Sequence, residues 1–520
     1  MKKLLNILLV LSLYNLSFNT NTVSAQTAKL YNGGGVLKGT YIKIADALSA
    51  SANGDSIVLS QHTFYENGLS NGLPLSKYNI LQGTISGVDT TKINTLGKTG
   101  FHGFRGTIRD MVITGTDTLS DNGSAIEFFE GRISGNVILR NNISRNYVFH
   151  NNIEDLLIDG NLTVVNNYAR TLAPVSFQRK VIVTGKLTIS GNKSGNAGAI
   201  LLSGGGPSSD TLDFMNINKT ILDGNVLIEN NEGISTGGIY IRYGHYLYMN
   251  GCSILNNKNT SGGSGTAILT DNTGNIAPLL RIRNSRFYNP LPDGSRQTEI
   301  YLRKTTGTSP KACYFYSDGC WWGESDTTGL IKRDPDTYFS FSNWAVTNWF
   351  CSPMGTSSTK VMSVMRLNTG AALPPNSLKG LEGSFFATAG TFSVPTSTIT
   401  SANVVAGDYT YPSSGTFAVT AVIDADTFRP TTKMLGIKEQ GFEQVKIYPN
   451  PAKDVINLSG VEEGSLITVY SIQGAVVSSQ VSGNSGQVTV MDVSKLAAGN
   501  YILKIKNKDG GEGSAKIIVE

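Results

Sequence analysis

The sequence predicts an all-β chain, a β-solenoid followed by two small β-sandwich units. Three observations carry that expectation. A ten-residue frame recurs through the middle of the chain, apolar and polar residues alternate toward the C-terminus, and the composition suits stacked strands joined by tight turns. Of 520 residues, 58 are glycine and 16 proline, and only 16% are charged. A chain this long has room for three or four domains, and this balance argues against a helical enzyme.

The frames are Ile133–Asn142 (ISGNVILRNN), Ile158–Asn167 (IDGNLTVVNN), Val183–Asn192 (VTGKLTISGN), Leu222–Asn231 (LDGNVLIENN) and Tyr248–Asn257 (YMNGCSILNN). Their closing residues Asn142, Asn167, Asn192, Asn231 and Asn257 are spaced by 25, 25, 39 and 26 residues, and Arg281–Asn289 is a weaker sixth copy. Near-equal steps with one longer step indicate stacked units with a loop insertion, here between Asn192 and Asp223. A second apolar run recurs between frames, at Gly123–Ile126, Gly198–Leu202, Gly237–Ile241 and Gly265–Leu269. Short strands with no helical spacing between them fit one rung of a parallel solenoid. Asparagine at a repeated turn has two physical uses. It tolerates the left-handed conformation, and stacked asparagines form a hydrogen-bonded ladder along the solenoid axis.

At the entry, Tyr41–Leu48 places Ile44, Ala45 and Leu48 at helical spacing, followed by Gly54-Asp55, Ser56–Leu59 and His62–Glu66. This resembles the opening of right-handed parallel β-helix proteins of the pectin-lyase-like superfamily. There a short helix plugs the open end ahead of a GDxIxL and GxYxE segment. His62 stands where that pattern has glycine, and Phe64 where it has tyrosine. A plug is needed because an open solenoid end exposes unpaired apolar interior. The Gly-Gly-Ile runs and the Ile189-, Ile228- and Ile254-x-x-Asn spacings are similar to the repeats of polymorphic outer-membrane adhesins, with isoleucine in place of phenylalanine. Cys320–Asp326 resembles the WWG segment that closes bacterial surface β-helices, and Trp344 and Trp349 follow it. Large aromatics there are expected to cap the last rung; an exposed platform for sugar rings is the other use.

Beyond the solenoid, Leu381–Phe392, Asp408–Tyr411 and Gly415–Asp424 (GTFAVTAVID) alternate in the manner of a sandwich. The last stretch resembles bacterial Ig-like domains of the invasin type. The C-terminus then runs Ile447-Tyr448-Pro449-Asn450-Pro451-Ala452, Ile467–Tyr470, Gly499-Asn500-Tyr501 and Ile517–Glu520, with period-two alternation over Asn500–Lys506. This resembles the type A C-terminal sorting domain of the type IX secretion system, which carries proteins across the outer membrane of some Gram-negative bacteria. At the other end, Lys2 and Lys3 precede the apolar run Leu4–Leu13 and the small residues Val23-Ser24-Ala25, as in a secretory signal peptide. The expected organisation is therefore 1–25 signal peptide, 26–355 β-helix with its helical plug, 360–432 Ig-like sandwich, 433–443 linker and 444–520 sorting domain. No other stretch reaches the eighteen apolar residues of a membrane span, so the mature chain is expected at the cell surface or outside it.

Several chemistries are disfavoured. The net charge is +5, of which Lys2 and Lys3 supply two, leaving +3 (5 − 2), too little and too dispersed for nucleic acid. Cys252, Cys313, Cys320 and Cys351 enter an oxidising compartment, where four cysteines allow three pairings. Four histidines and no CxxC spacing give no metal site, and calcium has no acidic cluster to hold it. Lyases and hydrolases of this shape need converging acids and a base. The catalytic candidates are Asp159 and Asp223, which share a frame position with Thr184 on the rung between them, and His245. Gly244-His245-Tyr246 and Arg281-Ile282-Arg283 resemble the GHG and RIK segments of polygalacturonase-type hydrolases, without the paired aspartates those enzymes place before them. The sequence thus favours a non-enzymatic exported surface protein. Such a protein meets host or matrix glycans or proteins and is handled by the type IX machinery. A secreted polysaccharide lyase or glycoside hydrolase is the alternative.

Overall fold

The computed structural model describes residues 26–520 except 71–76, 86–89, 120–122, 205–216, 263–264, 273–275, 296, 306–310, 354–356, 379, 413–416, 430–444, 472–474, 484–487 and 509–511. The expected signal peptide, the expected linker and most of the expected insertion lie outside the described residues.

The solenoid is a parallel β-helix, with one rung well represented by residues 156–177. Leu156–Ile158 lies in sheet I, Asn161–Val165 in sheet II, Tyr168–Ala169 in sheet III and Val175–Phe177 in sheet IV. Each strand pairs in parallel with its counterpart one rung away: Ile158 with Ile133 and Val183, Val164 with Leu139 and Ile189, Phe177 with Leu202. Among the described residues, sheets I, II and IV join in one network of 27 strands, and sheet III has six. The recurring runs that open on glycine fall in sheet IV in register, Ile200 against Ile239 and Ile239 against Ile268. Small residues precede them because the rungs approach closely. A Cβ on Gly238 would sit 2.2 Å from the Ala267 carbonyl oxygen. One frame shifts. Leu222 pairs with Met249, not Tyr248, because the corner from Asp223 to Leu227 is one residue longer than that from Asn250 to Ser253.

An internal asparagine ladder runs along the turn between sheets II and III. The Oδ1 of Asn167, Asn192, Asn231, Asn257 and Asn289 each accepts from the backbone N–H and side-chain Nδ2 of the ladder residue before it, at 2.7–3.0 Å. Asn142 accepts from the Thr116 backbone at one end. At the other, the buried Glu299 carboxylate accepts both from Asn289. The two uses expected of asparagine are divided between neighbours. The ladder residues are buried, while the exposed residues just before them, Asn141, Asn166, Asn230 and Asn256, take φ of 52–55°.

Both ends are closed. The short helix Ile44–Ala50 buries Ile44, Ala47 and Leu48 over the first rung. Glu66 caps it, its carboxylate accepting from the Ile44 and Ala45 backbone N–H groups. Asp55 accepts from Ala52 N–H and pairs with Lys38 at 2.7 Å. At the far end Trp322 stacks on Phe287 at 4.6 Å and Phe341 on Trp344 at 5.5 Å.

Two four-stranded antiparallel sheets follow, Trp349–Pro353, Ser358–Val364, Val404–Thr410 and Thr391–Phe392 against Thr396–Thr398, Glu382–Ala387, Val419–Ile423 and Asp426–Phe428. Trp349–Pro353, left with the solenoid in the expected boundaries, pairs with Ser358–Val364 and so belongs to the sandwich. The sandwich docks on the solenoid. Arg286 forms a two-point ion pair with Asp424, Trp321 Nε1 donates to the same carboxylate at 2.7 Å, and Asp426 accepts from Ser325 and Thr347. The terminal unit packs Lys446–Tyr448, Val455–Ser459 and Thr489–Asp492 against a sheet of Val476–Val481, Leu466–Ser471, Gly499–Lys506 and Glu512–Val519. Asn450 clamps its last strand, donating to Lys516 O and accepting from Ile518 N–H at 2.8–2.9 Å.

Removing the Asn192 amide leaves the buried Asn167 backbone N–H without its acceptor and the Val164 and Ser190 carbonyls without its donor, at roughly 1–3 kcal/mol for each group left unsatisfied. Asn192→Ala is therefore expected to cost about 3 kcal/mol or more. Asn230→Ala, which only strains an exposed left-handed turn, costs roughly 1–2 kcal/mol. Urea unfolding of both variants checks the order; equal losses would count against the ladder as the main tie.

Candidate functional site

The sequence-predicted catalytic candidates do not converge. Asp159 leaves sheet I at a corner and is held by Arg132, with Oδ1 3.0 Å from Nε. That hydrogen bond and the arginine charge keep its carboxyl below the usual range. Asp223 is exposed at the equivalent corner and accepts from Asn250 Nδ2 at 2.9 Å. His245 is fully buried, with Nε2 2.9 Å from Thr220 Oγ1, and desolvation lowers its pKa to about 3. Among the described residues no three His, Cys, Asp or Glu side chains gather as metal ligands would.

The four cysteines are free thiols. Cys252 and Cys320 point inward at the corner between sheets I and II with Ser285 on the rung between them, and Cys252 N–H donates to Ser285 Oγ at 3.2 Å. Burial pushes their pKa values up to about 12 and about 11, so neither is a reactive thiolate. Trp321 and Trp322 are both buried, one under the sandwich and one inside the solenoid, which leaves neither as a platform for a sugar ring.

What the rungs do bring together is a face of tyrosine and arginine on sheet I. Inward residues Leu247, Met249, Leu280, Ile282 and Phe315 fill the core, so their alternating neighbours point out. Parallel register then aligns two outward rows across five rungs. One is Lys219, Tyr246, Leu279, Tyr314 and Tyr338; the other is Ile221, Tyr248, Arg281, Tyr316 and Ser340. Lys219 Nζ lies 5.2 Å from the Tyr246 ring and the Arg281 guanidinium 5.3 Å from the Tyr316 ring. The Tyr338 ring sits 6.1 Å from that of Tyr314 and 5.3 Å from that of Tyr316. Arg281, Arg283 and Tyr338 are exposed. Partial burial raises the Tyr246 pKa even though Arg281 and Arg283 pull it down, so the phenol remains a hydrogen-bond donor at neutral pH.

A second cluster that sequence reasoning missed lies on sheet IV. Glu127 lies 2.5 Å from His102 Nδ1 and 4.0 Å from His150 Nδ1, and accepts from Asn152 Nδ2 at 3.0 Å. His150 stacks on Tyr147 at 4.4 Å, and burial lowers its pKa to about 4. It offers one carboxylate where hydrolysis of a glycosidic bond uses two.

Comparison with known proteins places the terminal unit. Residues 446–520 match the family described as the secretion system C-terminal sorting domain. The segment is a type IX sorting domain, and the chain is exported to the cell surface or the extracellular space. Among the described residues no helix is long and apolar enough to cross a membrane. Nothing among curated proteins matches the chain. Three solved structures are similar over short stretches. PorZ, a surface component of the type-IX secretion system of Porphyromonas gingivalis, is 14% identical with a TM-score of 0.14, over 20% of this chain and 15% of its own. The D0-D1 domain of intimin is 11% identical with a TM-score of 0.16, over 34% and 98%. The Yersinia pseudotuberculosis adhesin InvE is 14% identical with a TM-score of 0.14, over 34% and 58%. Likenesses at this level bear on neither ligand nor activity.

Two outcomes follow. Deleting 446–520 should hold the protein in the periplasm, read by cell fractionation; surface display of the truncated chain would break the assignment. The second concerns pH. His245 and His150 have folded pKa values below the ordinary 6.5. As pH falls below 6.5 the unfolded chain binds protons that the fold refuses, so stability is full above 6.5 and declines toward pH 4. Urea midpoints between pH 7 and 4.5 should fall in the native protein and fall less steeply in His245→Gln; parallel slopes would refute this origin.

Proposed function

We propose that this exported protein is a non-enzymatic adhesin whose solenoid binds a host or matrix protein through the tyrosine–arginine face of sheet I. The supporting observation is the register that aligns Tyr246, Tyr248, Tyr314, Tyr316 and Tyr338 with Lys219, Arg281 and Arg283. Tyrosine and arginine carry much of the energy of protein interfaces, since each supplies large contact area with a polar handle. The face is a flat strip of five rungs, about 20 Å long at ~4.8 Å per rung. A strip of that shape suits the patch a protein partner covers better than the concave pocket of a small ligand.

Binding of the mature chain to immobilised collagen, fibronectin and laminin, read by surface plasmon resonance, tests the reading. At least one should bind, and Arg281→Ala with Tyr316→Ala should weaken it by about tenfold or more. No binding to any of the three, or binding indifferent to both substitutions, would overturn it. Polysaccharide cleavage is the second reading, favoured only by the Glu127 cluster. Unsaturated products or reducing ends released from polygalacturonate, and lost in Glu127→Gln, would put it in first place.

A further inference from the structure

A cleft of about 730 Å³ lies where the outer side of sheet II meets the sandwich segment Pro374–Gly380. We infer that this cleft is a second binding site, separate from the sheet I face, and that it takes an uncharged, extended peptide segment of a protein partner. Its volume falls within the range of ligand sites, roughly 300–1,000 Å³.

Three features of the cleft point to that occupant. The first is its amides. Asn284 Nδ2 donates to Asn250 Oδ1 at 3.0 Å, and Asn250 Nδ2 donates to Asp223 Oδ1 at 2.9 Å. These bonds fix the orientation of amides on adjacent rungs. Each amide has two N–H donors and two acceptor lone pairs, so donor and acceptor capacity remains side by side. A peptide main chain asks for that pairing, because it presents N–H and C=O groups together. The second is the apolar lining. Leu227 and Leu255 are half-buried on the floor and Pro374-Pro375 form the wall, with Ser253 on the Leu255 strand paired against Leu227. Aliphatic side chains fit there, and no aromatic ring lines the cleft to stack on a sugar. The third is charge. Arg286 is committed to Asp424, which leaves one lysine, Lys186, and one glutamate, Glu229, among the described lining residues, with no excess of either sign to select a charged ligand.

The cleft is also preformed. Arg286 reaches across it to Gly380 O at 3.2 Å while holding Asp424, and Asn403 Nδ2 braces the wall by donating to Pro374 O at 2.9 Å. A braced wall lowers the ordering cost of binding.

The test uses the full mature chain and a displayed library of random heptapeptides. Enriched peptides should be poor in charge and carry apolar residues at alternate positions. Measured by fluorescence polarisation, their affinity should fall about tenfold or more in Ser253→Trp, which fills the cleft, and fall in Asn250→Leu. Thermal unfolding confirms that each variant is folded. Arg281→Ala, on the other face, should leave peptide affinity unchanged, so this site and the sheet I face fail or stand separately. The inference is overturned if no peptide is enriched, if enriched peptides are mainly charged, or if Ser253→Trp binds them as tightly as the native chain. It is overturned equally if Arg281→Ala abolishes peptide binding, or if cellohexaose or chitohexaose binds the cleft and displaces the peptide.

Discussion

Everything on the outside of this solenoid depends on one interaction inside it, the asparagine ladder. Each corner of this coil would strand one buried backbone N–H, that of the ladder asparagine, while its neighbours on either side pair with backbone carbonyls of adjacent rungs. The ladder solves this by giving the N–H at each of Asn142, Asn167, Asn192, Asn231 and Asn257 the side-chain Oδ1 of the next ladder asparagine, ending at Asn289. The chain length between corners is thereby free to vary. The steps of 25, 25, 39, 26 and 32 residues all return to the same axial line. Rungs in register are what place Tyr246 over Arg281's neighbours and Asn250 beside Asn284.

The ladder was legible in the sequence because its residue type repeats at near-constant spacing. Its division of labour was not. Asn230 and Asn231 are identical in sequence, yet one is exposed at positive φ and the other buried in the ladder. Only the direction of the chain at the turn separates them. Glu299 was missed as the ladder's terminus because it follows Asn289 by ten residues and lies on no frame. The plug was legible from Ile44, Ala45 and Leu48, although the buried set is Ile44, Ala47 and Leu48. The motif's acids gained a physical role only from geometry. Glu66 caps the plug helix and Asp55 holds its exit.

The sheet I face was hidden for a different reason. Its members come from Tyr246–Asn250, Leu279–Arg283, Tyr314–Asp318 and Tyr338–Phe341. Those strands begin 33, 35 and 24 residues apart, without the tidy frame of the earlier rungs. Each alone reads as a common alternating strand, and Arg281-Ile282-Arg283 drew attention for a resemblance to hydrolases. The signal available was period-two alternation with tyrosine or arginine in the outward position of successive strands. His245 is the reverse case. It was a candidate base only through a GHG-like segment in which Tyr246 replaces the second glycine, and the chain packs it beside Thr220, where desolvation lowers its pKa to about 3.

The docked sandwich changes what the solenoid can present. Arg286 and Trp321 lie on the outer side of sheet II, and without a partner they would be a cation and an indole open to solvent. Asp424 takes both, and the indole becomes part of the sandwich core. A charge pair with side chains only 13% and 6% exposed tolerates the loss of neither member. The angle between the two units is therefore fixed by chemistry at their contact instead of by a linker. That contact covers the last rungs of sheet II and leaves sheet I open. The same docking that leaves the tyrosine and arginine face uncovered creates the cleft beneath Pro374–Gly380, and the corner at Asn250 and Asn284 separates the two.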